Sequence, residues 1–92
     1  MNVSQNKAKL TKMACVLKAI AHPTRLAIIQ LLEQKEYLFV NEICEVLCCE
    51  QSNVSHHLTN MKSSGILQSH KKGLNIYYSL KVHEVSKVIS FL

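Results

Sequence analysis

Apolar residues recur at helical spacing along most of the chain. Leu10, Ala14 and Leu17 lie three or four positions apart, which places them on one face of an amphipathic helix. The segment 23–34 is apolar nearly all round, as is typical of a helix in the middle of a domain. Its Pro23 suits the first turn, where an N–H has no helical partner. The pattern predicts helices over residues 7–21, 23–34, 40–48, 51–63 and 82–92.

The periodicity changes to that of extended chain between residues 66 and 80. Gly65 ends the preceding helix, because glycine readily takes the left-handed conformation that a helix end commonly needs. Alternating side chains predict a strand over residues 75–80, paired with a strand over 66–70 through a turn at 71–74. The fold class is therefore predicted to be mainly α with a small β-hairpin.

The helices at 40–48 and 51–63 are short and close together, with residues 48–50 as the turn between them. This is the spacing of a helix-turn-helix, in which the first helix braces the second, the recognition helix, against DNA. A hairpin that directly follows such a pair is a wing. The sequence thus predicts a winged helix-turn-helix, as one domain over residues 1–92 with a flexible arm at 1–6.

The predicted recognition helix has one apolar side and one polar side. Val54, Leu58 and Met61 form a seam that should face the core. Short side chains that can hydrogen-bond to base edges in a major groove occupy the other side, without any carboxylate. They are Ser52, Asn53, Ser55, His56, Thr59 and Asn60. A solvated surface helix can have the same composition, so this segment alone leaves both interpretations open.

Charge favours the nucleic-acid interpretation. The formal net charge is +5, and no acidic residue occurs from Gln51 to His83, a stretch that contains Lys62, Lys71 and Lys72. A surface of one sign attracts phosphate, whereas a purely solubilising surface usually mixes both signs. Lysines of the wing are placed to contact the DNA backbone beside the groove that the helix enters.

The chain length and its two ends favour a homodimer. Ninety-two residues that are 48% apolar form a small core, which a second copy would extend. The first and last helices both carry apolar stripes with which two copies can pair. Such a dimer would present two recognition helices to a two-fold symmetric, palindromic operator in double-stranded DNA.

Other classes of protein fit less well. No apolar run approaches the ~20 residues of a membrane span, and residues 1–12 lack the apolar core of a signal peptide, so we expect a cytoplasmic protein without membrane association. The chain contains no Asp and no Gly-rich phosphate loop, which makes an enzyme the least expected interpretation. A disulfide scaffold is not expected either, because the four cysteines would be reduced in that compartment.

Three segments resemble the ArsR/SmtB family of bacterial winged helix-turn-helix repressors. Residues 17–26 are similar to the family's Leu-x-x-Leu-x-x-Pro-Thr-Arg-Leu, residues 53–58 to its Val-Ser-x-x-Leu, and Gly73 with residues 77–80 to its wing. The resemblance covers residues 13–88. It implies a homodimeric transcriptional repressor that contacts DNA through Gln51, Ser52, Ser55, His56, Lys71, Lys72 and Asn75.

The family's metal sites are incomplete in this chain. Residues 39–44 replace its Cys-Val-Cys-Asp-Leu-Cys, and only Cys44 remains. No cofactor is predicted from the resemblance. Cys44 and Cys48 are four positions apart on the brace helix, so they could instead form a new site for Zn²⁺ or Cu⁺ if Cys49, Cys15 or a histidine adds a ligand. Thiols that pack as small hydrophobes are the alternative.

Two further interpretations stay open at this stage. The fold could dock on protein instead of DNA, or the repressor could respond to a metal or oxidant through Cys44, Cys48 and Cys49. Two residues outside the predicted interface are given structural roles: His57 flanks the core seam, and Arg25 anchors helices rather than binding phosphate.

Overall fold

The computed structural model describes residues 6–90, and the side chains of residues 6–87. This part of the chain forms five helices and three strands. In chain order they are α1 (Lys7–Ile20), α2 (Pro23–Gln34), β1 (Leu38–Phe39), α3 (Val40–Leu47), α4 (Gln51–Ser63), β2 (Leu67–Lys72), β3 (Asn75–Leu80) and α5 (Glu84–Ser90). The predicted arm, except for its last residue, lies outside the described residues, as do the last two positions of the predicted terminal helix.

The predicted helices and hairpin are confirmed, with small differences at their ends. The helix predicted over 40–48 ends at Leu47, because Cys48 turns the chain with φ 52°. The helix predicted from residue 82 begins at Glu84, because the N–H groups of Lys81 and Val82 donate to the carbonyl of Ile66 instead. Residues 81 and 82 are therefore still hydrogen-bonded to the residue that precedes β2.

The wing differs from the predicted hairpin in two respects. Strand β2 runs on to Lys72, because Lys71 and Lys72 pair with Ile76 and Asn75 of β3. The two lysines therefore lie at the end of a strand, and the turn between the strands consists of Gly73 and Leu74 alone. The second difference is β1, which no pattern predicted. It pairs antiparallel with β3 and gives a three-stranded sheet in the order β1-β3-β2.

The core lies between α2, α4 and the inner face of this sheet. As predicted, Val54, Leu58 and Met61 of α4 are fully buried. Helix α2 contributes Ile28, Ile29 and Leu32, which confirms its central position. The other buried apolar residues come from every remaining element: Ile20, Leu38, Ile43, Ile66, Leu67, Tyr78, Leu80 and Val85.

The apolar stripe of α1 faces away from this core. Leu10, Met13 and Leu17 are each 47–49% exposed, and Ile20 is the buried residue of the helix. Met13 and Leu17 of this stripe line one wall of an open apolar cleft of about 620 Å³, whose other wall is the start of α5 with Val82 and Val85. One copy of the chain thus leaves a substantial apolar surface in contact with water.

No single helix within residues 6–90 is long and apolar enough to cross a membrane. Taken together, α1 and α2 reach that length and composition, but they are bent by 97° at the break between them.

Candidate nucleic-acid interface

The turn between α3 and α4 is compact. Leu47 ends α3 and Gln51 begins α4, which confirms the predicted turn at residues 48–50. Cys48 adopts the left-handed conformation, with φ 52° and ψ 41°, and the N–H of Cys49 donates to the carbonyl of Cys44 at 3.2 Å. The sharp reversal packs α3 against the inner side of α4 and leaves the outer side of α4 uncovered.

The polar face of α4 points to solvent. Opposite its buried seam, Ser55 and Asn60 are half-buried and the other predicted contact residues are exposed: Gln51, Ser52, Asn53, His56 and Thr59. His56 and Asn60 lie one turn apart, with 3.2 Å between Nε2 and Nδ2. The face is therefore accessible along the whole helix, as contact with DNA would require.

A polar cleft joins this face to the wing. The cleft has a volume of about 480 Å³ and lies between α3, α4 and the hairpin. Gln51, Ser55 and Thr59 line it from α4, and Asn75 lines it from β3. The structure thus brings together four of the predicted contact residues from two separate parts of the chain.

The cleft is also lined by residues that were not predicted as contacts, among them Asn41, Leu74 and Ile76. Asn41 belongs to α3, whose polar positions were not considered as contacts. Leu74 and Ile76 belong to the wing, where Leu74 is 96% exposed at the tip. The short turn at Gly73 was the available signal, since the residue that follows it in a two-residue loop has little to pack against.

The lysines are exposed but do not share one direction. Lys62 lies in the last turn of α4, where a cation also complements the helix dipole. Lys71 is paired with Ile76 and Lys72 with Asn75, so the two lysines project from opposite faces of the hairpin. Lys71 lies on the face that continues to Tyr78, toward the core. The wing therefore presents positive charge on both faces instead of a single basic edge.

Arg25 of α2 and His57 of α4 form a hydrogen-bonded pair on the inner side of α4. The Nε–H of Arg25 donates to Nδ1 of His57 at 3.0 Å, and its Nη1 donates to the carbonyl of Ala19 at 2.9 Å. His57 is buried, at 7% exposure. Burial lowers the pKa of His57 below its ordinary value of 6.5, and the positive charges of His22, Arg25 and His56 lower it further. The structural roles predicted for Arg25 and His57 are confirmed.

The four cysteines are free thiols. Cys44 and Cys49 are half-buried and pack against the core, whereas Cys15 and Cys48 are exposed. The Sγ of Cys49 lies 3.3 Å from the carbonyl of Leu47. Within residues 6–90, no three His, Cys, Asp or Glu side chains converge in a way that could hold a metal ion.

Comparison with known proteins identifies the same architecture. Residues 22–69 match the family model described as bacterial regulatory protein, arsR family. The chain is 39% identical to the transcriptional repressor PagR of Bacillus anthracis over 77 aligned residues. The alignment covers 84% of this chain and 77% of PagR. The crystal structure of PagR superposes with a TM-score of 0.83 at 36% identity, over 92% of this chain and 97% of that one.

Two other relatives extend the comparison. HlyU of Vibrio cholerae, named a transcriptional activator, is 32% identical over 92 residues, which cover all of this chain and 84% of HlyU. The solution structure of the homodimeric winged helix-turn-helix DNA-binding domain of Mb0332 from Mycobacterium bovis has a TM-score of 0.82 at 28% identity, over 95% of this chain and 80% of that one. The predicted winged helix-turn-helix is confirmed.

Proposed function

The chain belongs to the arsR family of bacterial regulatory proteins, and we propose that it is a homodimeric repressor that binds a palindromic operator in double-stranded DNA. The membership confirms the family resemblance and makes the chain a transcriptional regulator, not an enzyme. The proposal assigns α4 to the major groove, the wing to the DNA backbone, and the α1 stripe to the dimer interface, in a protein that acts in the cytoplasm.

The observation that carries the proposal is the outer face of α4. It is exposed and uncharged, and it continues into a polar cleft shared with Asn75 of the wing. Its amides, hydroxyls and imidazole can donate to and accept from base edges. A carboxylate there would repel phosphate, and none occurs from Gln51 to His83. Lys62, Lys71 and Lys72 supply contacts with phosphate, which set register and orientation.

The apolar cleft beside α1 supports the dimer. Leu10, Met13 and Leu17 are half-exposed, although burial of apolar surface stabilises by about 25 cal/mol per Å². A second copy packed on α1 and α5 would cover this stripe. The Mb0332 domain is described as homodimeric, which supports a homodimer here. Two recognition helices related by a two-fold axis then match a palindrome.

Repression is proposed on the strength of PagR, which is named a repressor and is 39% identical. HlyU carries the name of an activator on a similar fold, so DNA binding is common to both outcomes. An operator that overlaps a promoter would make this chain a repressor. Docking on protein through the same face is the alternative, and the two differ in their dependence on salt, because contacts with phosphate release counterions.

The test is a selection of bound duplexes from a random pool, followed by affinity measurements on the selected duplex. We expect a palindromic site, and at least about a tenfold loss of affinity for Ser52→Glu, which adds a negative charge to the exposed face of α4. Gln30→Glu is the matched control, since it adds the same charge on α2 and should bind as the wild type does. Failure to enrich any duplex, or an equal loss in both variants, would contradict the proposal.

A further inference from the structure

We propose that Arg25 and His57 are a positioning pair that holds α4 in its DNA-binding orientation, and that protonation of His57 releases it. The inference rests on the proposed function, because it concerns the placement of the helix assigned to the major groove. Neither residue belongs to the exposed face of α4: Arg25 is half-buried and His57 is buried. Both therefore act through the position of the helix.

Arg25 connects three helices through one guanidinium. It belongs to the first turns of α2, donates through Nη1 to the carbonyl of Ala19 near the end of α1, and donates through Nε to His57 on α4. Carbonyls in the last turn of a helix carry partial negative charge, so a cation is stabilised there. The link joins the helix that carries the exposed apolar stripe to the helix that carries the polar face.

This link requires a neutral His57. The guanidinium has donors and no acceptor, so Nδ1 of His57 must hold a lone pair and the proton must be on Nε2. Protonation of Nδ1 would place an N–H against an N–H at 3.0 Å. The hydrogen bond would be lost, and two positive charges would face each other in a half-buried site.

The surroundings of His57 add to this effect. The His22 ring, at the corner between α1 and α2, lies 4.5 Å from the His57 ring between centroids, and the His56 ring lies 5.9 Å away. These two rings and Arg25 are the titratable groups that face His57, and each of them lowers the pKa of His57. His22 is also an acceptor, from the N–H of Thr24 at 3.1 Å. Nothing in this cluster favours a charged His57.

The direction of the pH dependence follows from the lowered pKa of His57. Above that pKa the pair is formed. As the pH falls through it, below the ordinary value of 6.5, the pair breaks and the contribution of His57 to affinity and stability is lost. For a single proton, the affinity falls by at most about tenfold per pH unit below the folded-state pKa.

Acidification also has an effect of the opposite sign. It makes the protein as a whole more positive, which strengthens its attraction to phosphate. A pH profile of the wild type alone therefore mixes two effects. A variant that keeps the hydrogen bond but cannot be protonated separates them.

His57→Asn is that variant, because the amide oxygen lies close to where Nδ1 stands and can accept from Arg25. Operator affinity is measured for the wild type and the variant from about pH 7.5 to about pH 5.5. We expect the ratio of wild-type to variant affinity to fall as the pH is lowered across this range. His83→Asn, at an exposed position before α5, should keep the wild-type profile. Arg25→Lys removes the Nε donor and should flatten the profile as His57→Asn does.

A second measurement uses the free wild-type protein, so it does not depend on DNA binding or on the folding of a variant. NMR titration of the histidine rings should give a pKa for His57 below 6.5, with α4 amide shifts moving at the same midpoint. An ordinary pKa for His57, or α4 amides that do not follow it, would overturn the inference. An affinity ratio that stays constant with pH would do the same. Absence of DNA binding at every pH would instead reject the proposed function, and the NMR result would still decide this inference.

Discussion

Cys48 holds a backbone conformation that side chains other than glycine rarely adopt. It is the one non-glycine residue with positive φ within residues 6–90, and its φ of 52° creates the turn that α4 needs. A side chain in this conformation costs roughly 1–2 kcal/mol, because Cβ approaches the carbonyl oxygen. Its Sγ makes one weak contact, 3.8 Å from the carbonyl of Glu45, so the thiol returns little of that energy.

Cys48→Gly should therefore stabilise the protein. We expect a net rise of about 1 kcal/mol in the free energy of unfolding. This is the relief of backbone strain less the extra conformational freedom that glycine gives the unfolded chain. Unfolding in urea measures it. Cys48→Ala is the control, since it removes the thiol and keeps the strained Cβ, and it should stay near the wild type. Equal gains from both would mean that the thiol, not the backbone, is unfavourable.

At the same scale, the sequence identified which residues are exposed better than it identified how they are linked. The seam of Val54, Leu58 and Met61 and the polar side opposite follow from the helical period alone. The hydrogen bond between Arg25 and His57 spans 32 positions, and no local pattern predicts which distant side chain an imidazole meets. Burial of His57 could be predicted, but its partner required the fold.

The wing shows what local patterns miss at the level of elements. The two strands of the hairpin were predicted, the second of them from alternation. Strand β1 was not, because it has only two residues and forms where Leu38 and Phe39 reach β3 from a distant segment. The consequence is a row of rings across the outer face of the sheet. Phe39 and His70 flank Tyr77, with centroids 5.6 and 5.3 Å from its ring.

Removal of the wing lysines tests the role of this element. Lys71→Gln with Lys72→Gln should weaken operator binding and reduce the slope of log affinity against log salt by about 0.9 for each lost phosphate contact. In a dimer, four such contacts would reduce the slope by roughly 3 to 4. The measurement is a titration over about 50 to 200 mM salt. Lys81→Gln, at an exposed position after the end of β3 and outside the residues assigned to DNA contact, should leave the slope unchanged.

For the whole molecule, the sequence predicted the apolar stripe of α1 and a second copy as its partner, but it did not predict which residues of the stripe would face away from the core. Ile20 meets the core, whereas Leu10, Met13 and Leu17 remain half-exposed. Helical periodicity predicts which residues share a face, but it does not predict what packs against that face. The cleft between α1 and α5 makes a second copy the proposed cover.

Leu17→Glu tests this assembly. A carboxylate in the apolar cleft should give a folded monomer in analytical ultracentrifugation, because two buried carboxylates would face the dimer interface. Operator affinity should fall by about 100-fold or more, since each copy would then bind its half-site alone. Gln30→Glu should remain a dimer. A dimeric Leu17→Glu protein would place the interface elsewhere.

The separation of the α1 stripe from the outer face of α4 has a genetic consequence. In the proposed dimer, a chain with a defective recognition surface and an intact stripe would still pair with wild-type chains. The resulting heterodimers would contact only one half-site of the operator. Such alleles should be dominant negative. Alleles that disrupt the stripe should be recessive, because their products would not dimerise with wild-type chains.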